Sequence, residues 1–402
     1  MTRNLSFHPM EKGVTIIIPT FNGGSIFSEC LAAIKGQKYV DPLQLIVVDS
    51  GSTDGTVERA EKAGALVKKI ERKTFHHART RNKALALAAH ENIIFTVQDA
   101  IPHSKTWLLN LVQTLNHRGA AAAYTAQIPH DHATPYSRFE IESINEARGS
   151  LPVIQRMESL ESYEKMSYHT AYRTIGLDNV CAIYRKDRLL KTPFPEVDFA
   201  EDMAWAHKNL LMGHKIVYNP HVRVKHSHNR SPNYAFRRQV VNSFWCAKIM
   251  GRVEEDFSFL TEADLKTLTA IVGGFKSGQR SDIFAGKAHQ EAKDPQHQEI
   301  LGRHPKGSRV NGLLQKRIFG RCRPPTSLEK IVEGIETRIA MLYQLIGEKF
   351  GVARSAERIS LLEQVVANTM GRAYGEIYAS RMLAGNRTAS FESLMRPFLD
   401  GV

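Results

Sequence analysis

From Val14 the chain alternates short apolar runs with longer amphipathic ones. VTIIIP comes first, a helix over residues 26–34 follows, and LQLIVVD reads as a second strand. Runs such as TIII and IVV are apolar at every position, as in strands covered on both faces. Further strands are predicted at 66–70, 92–97 and 120–126, and helices at 79–89 and 105–115. That order of elements predicts βαβ units around a mainly parallel sheet, an α/β fold.

Residues 127–170 are less periodic and rich in His, Pro, Ser and Glu, which predicts a long surface excursion. Regular structure resumes with NVCAIYR, a helix over 201–212, then KIVYNP and VRVKHSH. Pro232 suits the first turn of a helix running to Met250, where its missing N–H has no intrahelical partner to lose. An α/β domain over 1–250 is therefore expected. Past it, Thr261 with Asp264 and Thr326 with Glu329 have capping-box spacing. Leu328, Ile331, Val332, Ile335, Ile339, Leu342, Leu345 and Ile346 form one helical stripe, and Ile359, Leu362, Val366 and Ala373 begin another. The expectation is a basic, partly helical connection over 251–325 and a helical hairpin over 326–402.

Length and charge add two constraints. At 402 residues the chain exceeds a single core, which accords with the division just drawn. Its 54 Lys and Arg against 41 Asp and Glu give a formal charge of +13, which points to an anionic partner. Seven of the basic residues fall within 303–323 with no acid among them, a segment suited to a solvated linker or to an anionic lipid surface. Cys30, Cys181, Cys246 and Cys322 are far apart and form no CxxC pair, which argues for a reducing cytoplasm. No run approaches 18 apolar residues, so any membrane contact is expected to be peripheral.

Ligands of an open parallel sheet bind beyond the carboxyl ends of its strands. Four such ends carry chemistry: Pro19-Thr20-Phe21-Asn22, then Asp49-Ser50-Gly51-Ser52-Thr53-Asp54-Gly55, then Gln98-Asp99, and late in the chain His226-Ser227-His228. The second mixes Asp and Ser with glycines that let backbone approach a ligand, just before a helix start. Asp99 ends an apolar strand, where a carboxylate does nothing for packing but suits Mg²⁺ or Mn²⁺ against a diphosphate. His226 and His228 are two apart on an extended segment and face the same side. Glu201 and Asp202 open a helix. Their placement fits the helix dipole, and equally a general base for a hydroxyl.

The series VTIIIPTFNGG, LIVVDSGSTDGT, HARTRN, IIFTVQDA, AEDMAWAHKNLLMGHKIVYNP and VRVKHSHNRS resembles family 2 glycosyltransferases of the GT-A fold. DSGS, FHHARTRN, TVQDA, QIPHDHATP and HSHNRS make it most similar to bacterial rhamnosyltransferases of O-antigen and capsule assembly. The resemblance covers about Val14 to Ser231. It implies a nucleotide site at Pro19, Thr20, Phe21, Asn22, Asp49, Ser52, Asp54 and Gln98, with Arg81 near the diphosphate. It implies a divalent metal, Mg²⁺ or Mn²⁺, at Asp99 with His226 or His228. Val97 stands where the family's first motif aspartate is found. Asp202 is similar to the catalytic base, and Gln127, His130, Asn179 and Glu201 would line the sugar and acceptor side.

The activity so implied is a single inverting displacement, with L-rhamnose passing from dTDP-rhamnose to a hydroxyl of a surface-polysaccharide or lipid-linked acceptor. A UDP- or GDP-sugar donor is the alternative within the family. The location implied is the cytoplasm, peripheral to the inner face of a bacterial plasma membrane, and the C-terminal helices are candidates for a homo-oligomer contact. A basic nucleic-acid-binding protein is the competing class, but it leaves Asp49, Asp99 and Asp202 without a purpose.

Overall fold

A computed structural model describes residues 13–117, 119–261, 263–264, 266–267 and 327–386. Its strands are β1 (Val14–Thr20), β2 (Leu43–Asp49), β3 (Leu66–Lys69), β4 (Asn92–Thr96), β5 (Ile101–Pro102), β6 (Ala122–Ile128), β7 (Val153–Gln155), β8 (Cys181–Arg185) and β9 (Ile216–Lys225). They form one sheet in the order β3-β2-β1-β4-β8-β6-β9-β5, with β7 also paired to β9. β1, β2, β3, β4, β6 and β9 run one way; β5, β7 and β8 run the other. The mainly parallel α/β sheet predicted from the apolar runs is therefore present.

Burial follows the pattern that predicted it. Ile16, Ile18, Val47 and Ile94 project from the sheet into one cluster with Phe27, Leu31 and Ile34 of the helix Gly24–Lys35 and Trp107, Leu111 and Leu115 of the helix Trp107–His117. Each such side chain removed from water contributes about 1.5–3 kcal/mol, which is what fixes these helices on the sheet.

KIVYNP and VRVKHSH are not separate strands. They are one strand, β9, interrupted where Pro220, His221 and Val222 bulge out between the pairs Thr125↔Asn219 and Ala126↔Arg223. Proline cannot donate to a ladder, and the Asn219 side chain accepts the His221 N–H at 3.0 Å, so the bulge is locally satisfied. Beyond it Gln127 pairs with Val224 and Ile128 with Lys225, and this register delivers His226 to the sheet edge.

The expected excursion over 127–170 needs correction. It contains the helix Pro135–Arg148, strand β7 and the helices Leu160–Glu164 and Tyr168–Ile175. In the first of these, Ser137, Phe139 and Ile141 are buried, a face too sparse in apolar residues to stand out against its polar neighbours.

Two compact units emerge. The first holds the sheet and comprises the described residues up to 130, 148–166 and 173–226; the second comprises 131–147, 167–172 and those from 227 on. The division falls elsewhere than residue 250, because the helix Pro232–Met250 packs with the C-terminal helices Leu328–Lys349 and Ser355–Leu383 around Phe236, Val240, Phe244, Ile339, Ile346, Val365 and Met370. Pro232 does open its helix, with Ser231 as cap. The Thr261–Asp264 capping box is formed, each backbone N–H donating to the other's side chain. At the later start Ser327 caps the helix, accepting from Lys330 N, and Thr326 lies outside the described residues. The basic run 303–323 and Cys322 lie outside the described residues. Among the described residues no helix is long and apolar enough to cross a membrane.

Within the second unit, Gly371 and Gly375 lie four apart on one helix face, against the carbonyls of Phe236 and Val240. A Cβ at either position would sit 2.4 Å from the carbonyl oxygen, so only glycine allows the two helices this approach. Gly375→Ala is expected to lower stability in urea unfolding by about 1–3 kcal/mol through overpacking. Gly334→Ala, where nothing lies within 4 Å, should raise it by about 0.5–1 kcal/mol through helix propensity. Equal effects of the two substitutions would rule out the close-approach account.

Candidate active site

Because β1, β2, β4, β6 and β9 are parallel, their carboxyl ends meet at one edge of the sheet, and the entry of β8 lies there too. The first group at this edge is a pair of interlocked loops. Four consecutive backbone N–H groups after β1 are each accepted by a side chain: Phe21 N by Gln98 Oε1 at 2.9 Å, Asn22 N by Ser52 Oγ at 2.8 Å, Gly23 N by Thr56 Oγ1 at 2.8 Å and Gly24 N by Asp54 Oδ2 at 2.8 Å. Helix starts usually leave such donors for anions. Here they hold the loop instead, and Asn22 takes the left-handed φ of 46° that this path requires.

Asp49 organises the second loop. Its carboxylate accepts from Thr20 Oγ1, Ser52 Oγ, Gly51 N and Ser52 N. Burial alone would raise its pKa, but these donors to the charged form hold it below the usual carboxylate value. Asp54 is likewise lowered, chiefly by the Thr56 hydroxyl. The Arg72 guanidinium lies 3.4 Å from the centroid of the Phe21 ring, a cation–π contact that sequence reading missed. Pro19, Thr20, Phe21, Asn22, Asp49, Ser52, Asp54 and Gln98 thus lie in loops tied together by hydrogen bonds.

The second group gathers at the exits of β4, β6 and β9. β5 pairs antiparallel with β9, Ile101 opposite Lys225, which brings Asp99 alongside His226. The His226 Nε2 lies 3.8 Å from Asp99 Oδ1, and its Nδ1 is 2.8 Å from Gln127 Oε1. The buried His130 ring bonds through Nε2 to the Asp99 carbonyl at 3.2 Å. Asp99, His226 and His228 each offer one ligand atom, and the three atoms lie within 4.8 Å of one another. One carboxylate and two imidazoles fit a first-row divalent ion such as Mn²⁺ better than Mg²⁺, which favours oxygen ligands.

The third group lies at the helix Glu201–Leu211. It opens on Ala200, a non-glycine residue at φ 58°, and this turn sends Glu201 inward. Arg81 and Glu201, 3 % and 5 % exposed, form an ion pair through Arg81 Nη1 and Glu201 Oε1. Asn179 joins both acids: its Nδ2 donates to Glu201 Oε1 at 3.2 Å, its backbone N to Asp202 Oδ2 at 2.8 Å, and its Oδ1 accepts from Tyr184 OH at 2.6 Å. Burial and the neighbouring Glu201 charge push the Asp202 pKa up to about 7. Glu201 stays below its usual range: burial opposes its charge, and Arg81, His77, the helix-start N–H and the Asn179 amide together more than offset that. Arg81, which the resemblance puts near a diphosphate, is paired with Glu201. In the same HARTRN run, Asn82 exchanges hydrogen bonds with the Phe194 backbone.

Asp178 was passed over in the sequence, although it directly precedes Asn179. Its Oδ2 accepts from Gln127 Nε2 at 3.3 Å and pairs with Arg148 Nη1 at 2.8 Å. A polar pair at the entry of an apolar strand was the only sequence signal for it.

Residues 15–189 match the model of glycosyl transferase family 2. The chain is 34% identical over 229 residues to the O-antigen chain rhamnosyltransferase RfbN of Salmonella typhimurium, covering 56% of this chain and 69% of that one. It is 33% identical over 228 residues to the O-antigen chain rhamnosyltransferase WbaN of Salmonella anatum, with the same coverage. Among solved structures it is similar to the mannosyltransferase PcManGT from Pyrobaculum calidifontis in complex with GDP-Man and Mn²⁺. The identity there is 17% and the TM-score 0.46, over 90% of this chain and 87% of that one.

The buried ion pair generates a stability prediction. Arg81→Met leaves the Glu201 charge buried without its partner, which is expected to cost about 3–5 kcal/mol in equilibrium unfolding. Adding Glu201→Gln removes that charge and should recover part of the loss. A double variant no more stable than Arg81→Met would show that Arg81 acts through packing rather than charge.

Proposed function

The chain belongs to glycosyl transferase family 2 and is a glycosyltransferase of the GT-A fold; from that premise we propose that it transfers L-rhamnose from dTDP-rhamnose, with inversion, to a hydroxyl of a bacterial surface-polysaccharide or lipid-linked acceptor. The observation that carries the reading is Asp202. It is held by the Asn179 N–H, is raised to about 7, and stands at the same sheet edge as the Asp99–His226 pair. A base poised near neutrality both accepts a hydroxyl proton and is ionised often enough to do so. The identity to two O-antigen chain rhamnosyltransferases supports the choice of rhamnose.

On this reading the nucleoside and diphosphate lie along the Pro19–Asn22 segment and the Asp49–Asp54 loop, whose internal hydrogen bonds make them rigid before the donor arrives. Asp99, His226 and His228 would hold a divalent ion, whose charge would offset the negative charge that builds on the departing diphosphate. Asp202 takes the proton of the acceptor hydroxyl as its oxygen forms the bond to the anomeric carbon and the bond to the diphosphate oxygen breaks. The buried Glu201 charge makes Asp202 a stronger base, and Arg81 with His77 and Asn179 keeps Glu201 ionised. No covalent sugar–enzyme intermediate is needed, so a single base suffices.

The carboxylate is the active form of Asp202, so transfer should fall about tenfold per pH unit below about 7 and level off above it. Asp202→Asn should lose about 10²–10⁴-fold in kcat with the fold retained, and unaffected transfer would remove Asp202 from the mechanism. Nucleotide release from a panel of donors tests the sugar. Turnover of a UDP- or GDP-sugar with none of dTDP-rhamnose would overturn the rhamnose assignment while leaving the glycosyltransferase intact.

A further inference from the structure

The two nitrogens of a neutral imidazole are not equivalent: one carries the proton and the other a lone pair able to bind a metal. Which is which at His226 follows from a chain of contacts behind it. Asp178, paired with the Arg148 guanidinium at 2.8 Å, is a carboxylate and can only accept, so the end of the Gln127 amide that faces it is the nitrogen. The Gln127 oxygen is thereby turned to His226 Nδ1, 2.8 Å away. An amide oxygen also only accepts, so the proton sits on Nδ1. That leaves the lone pair on Nε2, the nitrogen nearer Asp99. Gln127 and His226 are each 7 % exposed, so water competes little for these bonds.

We propose that Arg148, Asp178 and Gln127 form a positioning relay that fixes His226 in its Nδ1–H tautomer and presents Nε2 to a divalent cation shared with Asp99. The inference rests on the metal-site reading given above and adds to it the residues that orient the ligand. It also gives Gln127 a place behind the metal rather than beside the sugar. The same Asp178–Asn179 pair reaches Asp202 through the Asn179 N–H, so one short stretch of backbone orients groups on both sides of the reacting centre.

The test uses the full chain labelled with ¹⁵N-histidine, stripped of metal by a chelator and held above the histidine titration range. The His226 ring signals are identified by their loss in His226→Gln. The expected result is a ring protonated at Nδ1 in the wild type. In Gln127→Met that preference should be lost and Mn²⁺ affinity, measured by EPR titration, should fall about 10- to 100-fold. Asp178→Asn serves as the second variant. Its side chain can donate as well as accept, so Gln127 is free to turn over and a mixture of tautomers is expected. A wild-type ring protonated at Nε2 overturns the relay, as does a folded Gln127→Met that keeps both tautomer and affinity. The expected tautomer in a protein that binds no Mn²⁺ upholds the relay's hydrogen-bond order and overturns the metal reading alone.

Discussion

The constraint on which the rest of the structure depends is the placement of β8. It runs antiparallel between β4 and β6 and joins two parallel sets, β3-β2-β1-β4 and β6-β9, into one sheet. Because it runs against them, its entry lies where they exit. Asp178 and Asn179 are therefore beside Gln98, Asp99 and Gln127 without any loop having to carry them there. The Val97 N–H and the Thr96 hydroxyl both donate to the Val180 carbonyl, which ties the exit of β4 to the entry of β8. A fully parallel sheet would have put a strand exit in that position, followed by a crossover, and the acids at 201–202 would lose the Asn179 donors.

Charge is distributed among Asp49, Glu201 and Asp202 so that Asp202 is left poised. Asp49 is held ionised by four donors, and Glu201 by Arg81 together with His77 and Asn179 against its burial. Asp202 receives the Asn179 N–H, yet burial and the Glu201 charge outweigh it and raise its proton affinity. Two adjacent carboxylates, one paired with a guanidinium and one not, thus diverge in pKa for the reason that lets one act as a base. A buried ion pair such as Arg81–Glu201 adds little to stability on balance, since desolvation consumes most of the attraction. Its consequence is electrostatic: it sets the field in which Asp202 titrates.

Much of this was legible in the sequence because it is local. β1, β2 and β4 are unbroken apolar runs, and the residues that end them, Asn22, Asp49 and Asp99, are polar groups with no packing reason to be there. The motif order then identified the family. What escaped reading is non-local. The helix Pro135–Arg148 buries only a short stripe, so its period drowns in polar residues. The helix Pro232–Met250 packs on Gly371 and Gly375, more than a hundred positions away, so a boundary drawn from local pattern at residue 250 cuts through its core. Arg81 carries a phosphate-binding signature but is buried against an acid whose approach depends on the turn at Ala200. Asp178 and Arg148 acquire meaning only through the register of β6 on β9, which the bulge at Pro220–Val222 sets.

That bulge also bears on the apolar residue at Val97. Val97 is partly buried and packs against the cluster of Ile94, Trp107 and Cys181, and its backbone is tied to β8. On the proposed reading the ligand set at this edge draws on Asp99 and the two histidines after β9. They arrive there because the bulge lengthens β9 enough to shift its register against β6. An imidazole brings no charge, so on the proposed reading the site binds its cation with one formal negative charge and depends more on the donor's diphosphate to complete it. The orientation of each ring then matters more than in a site with two carboxylates, since a carboxylate offers two equivalent oxygens and a histidine only one usable nitrogen.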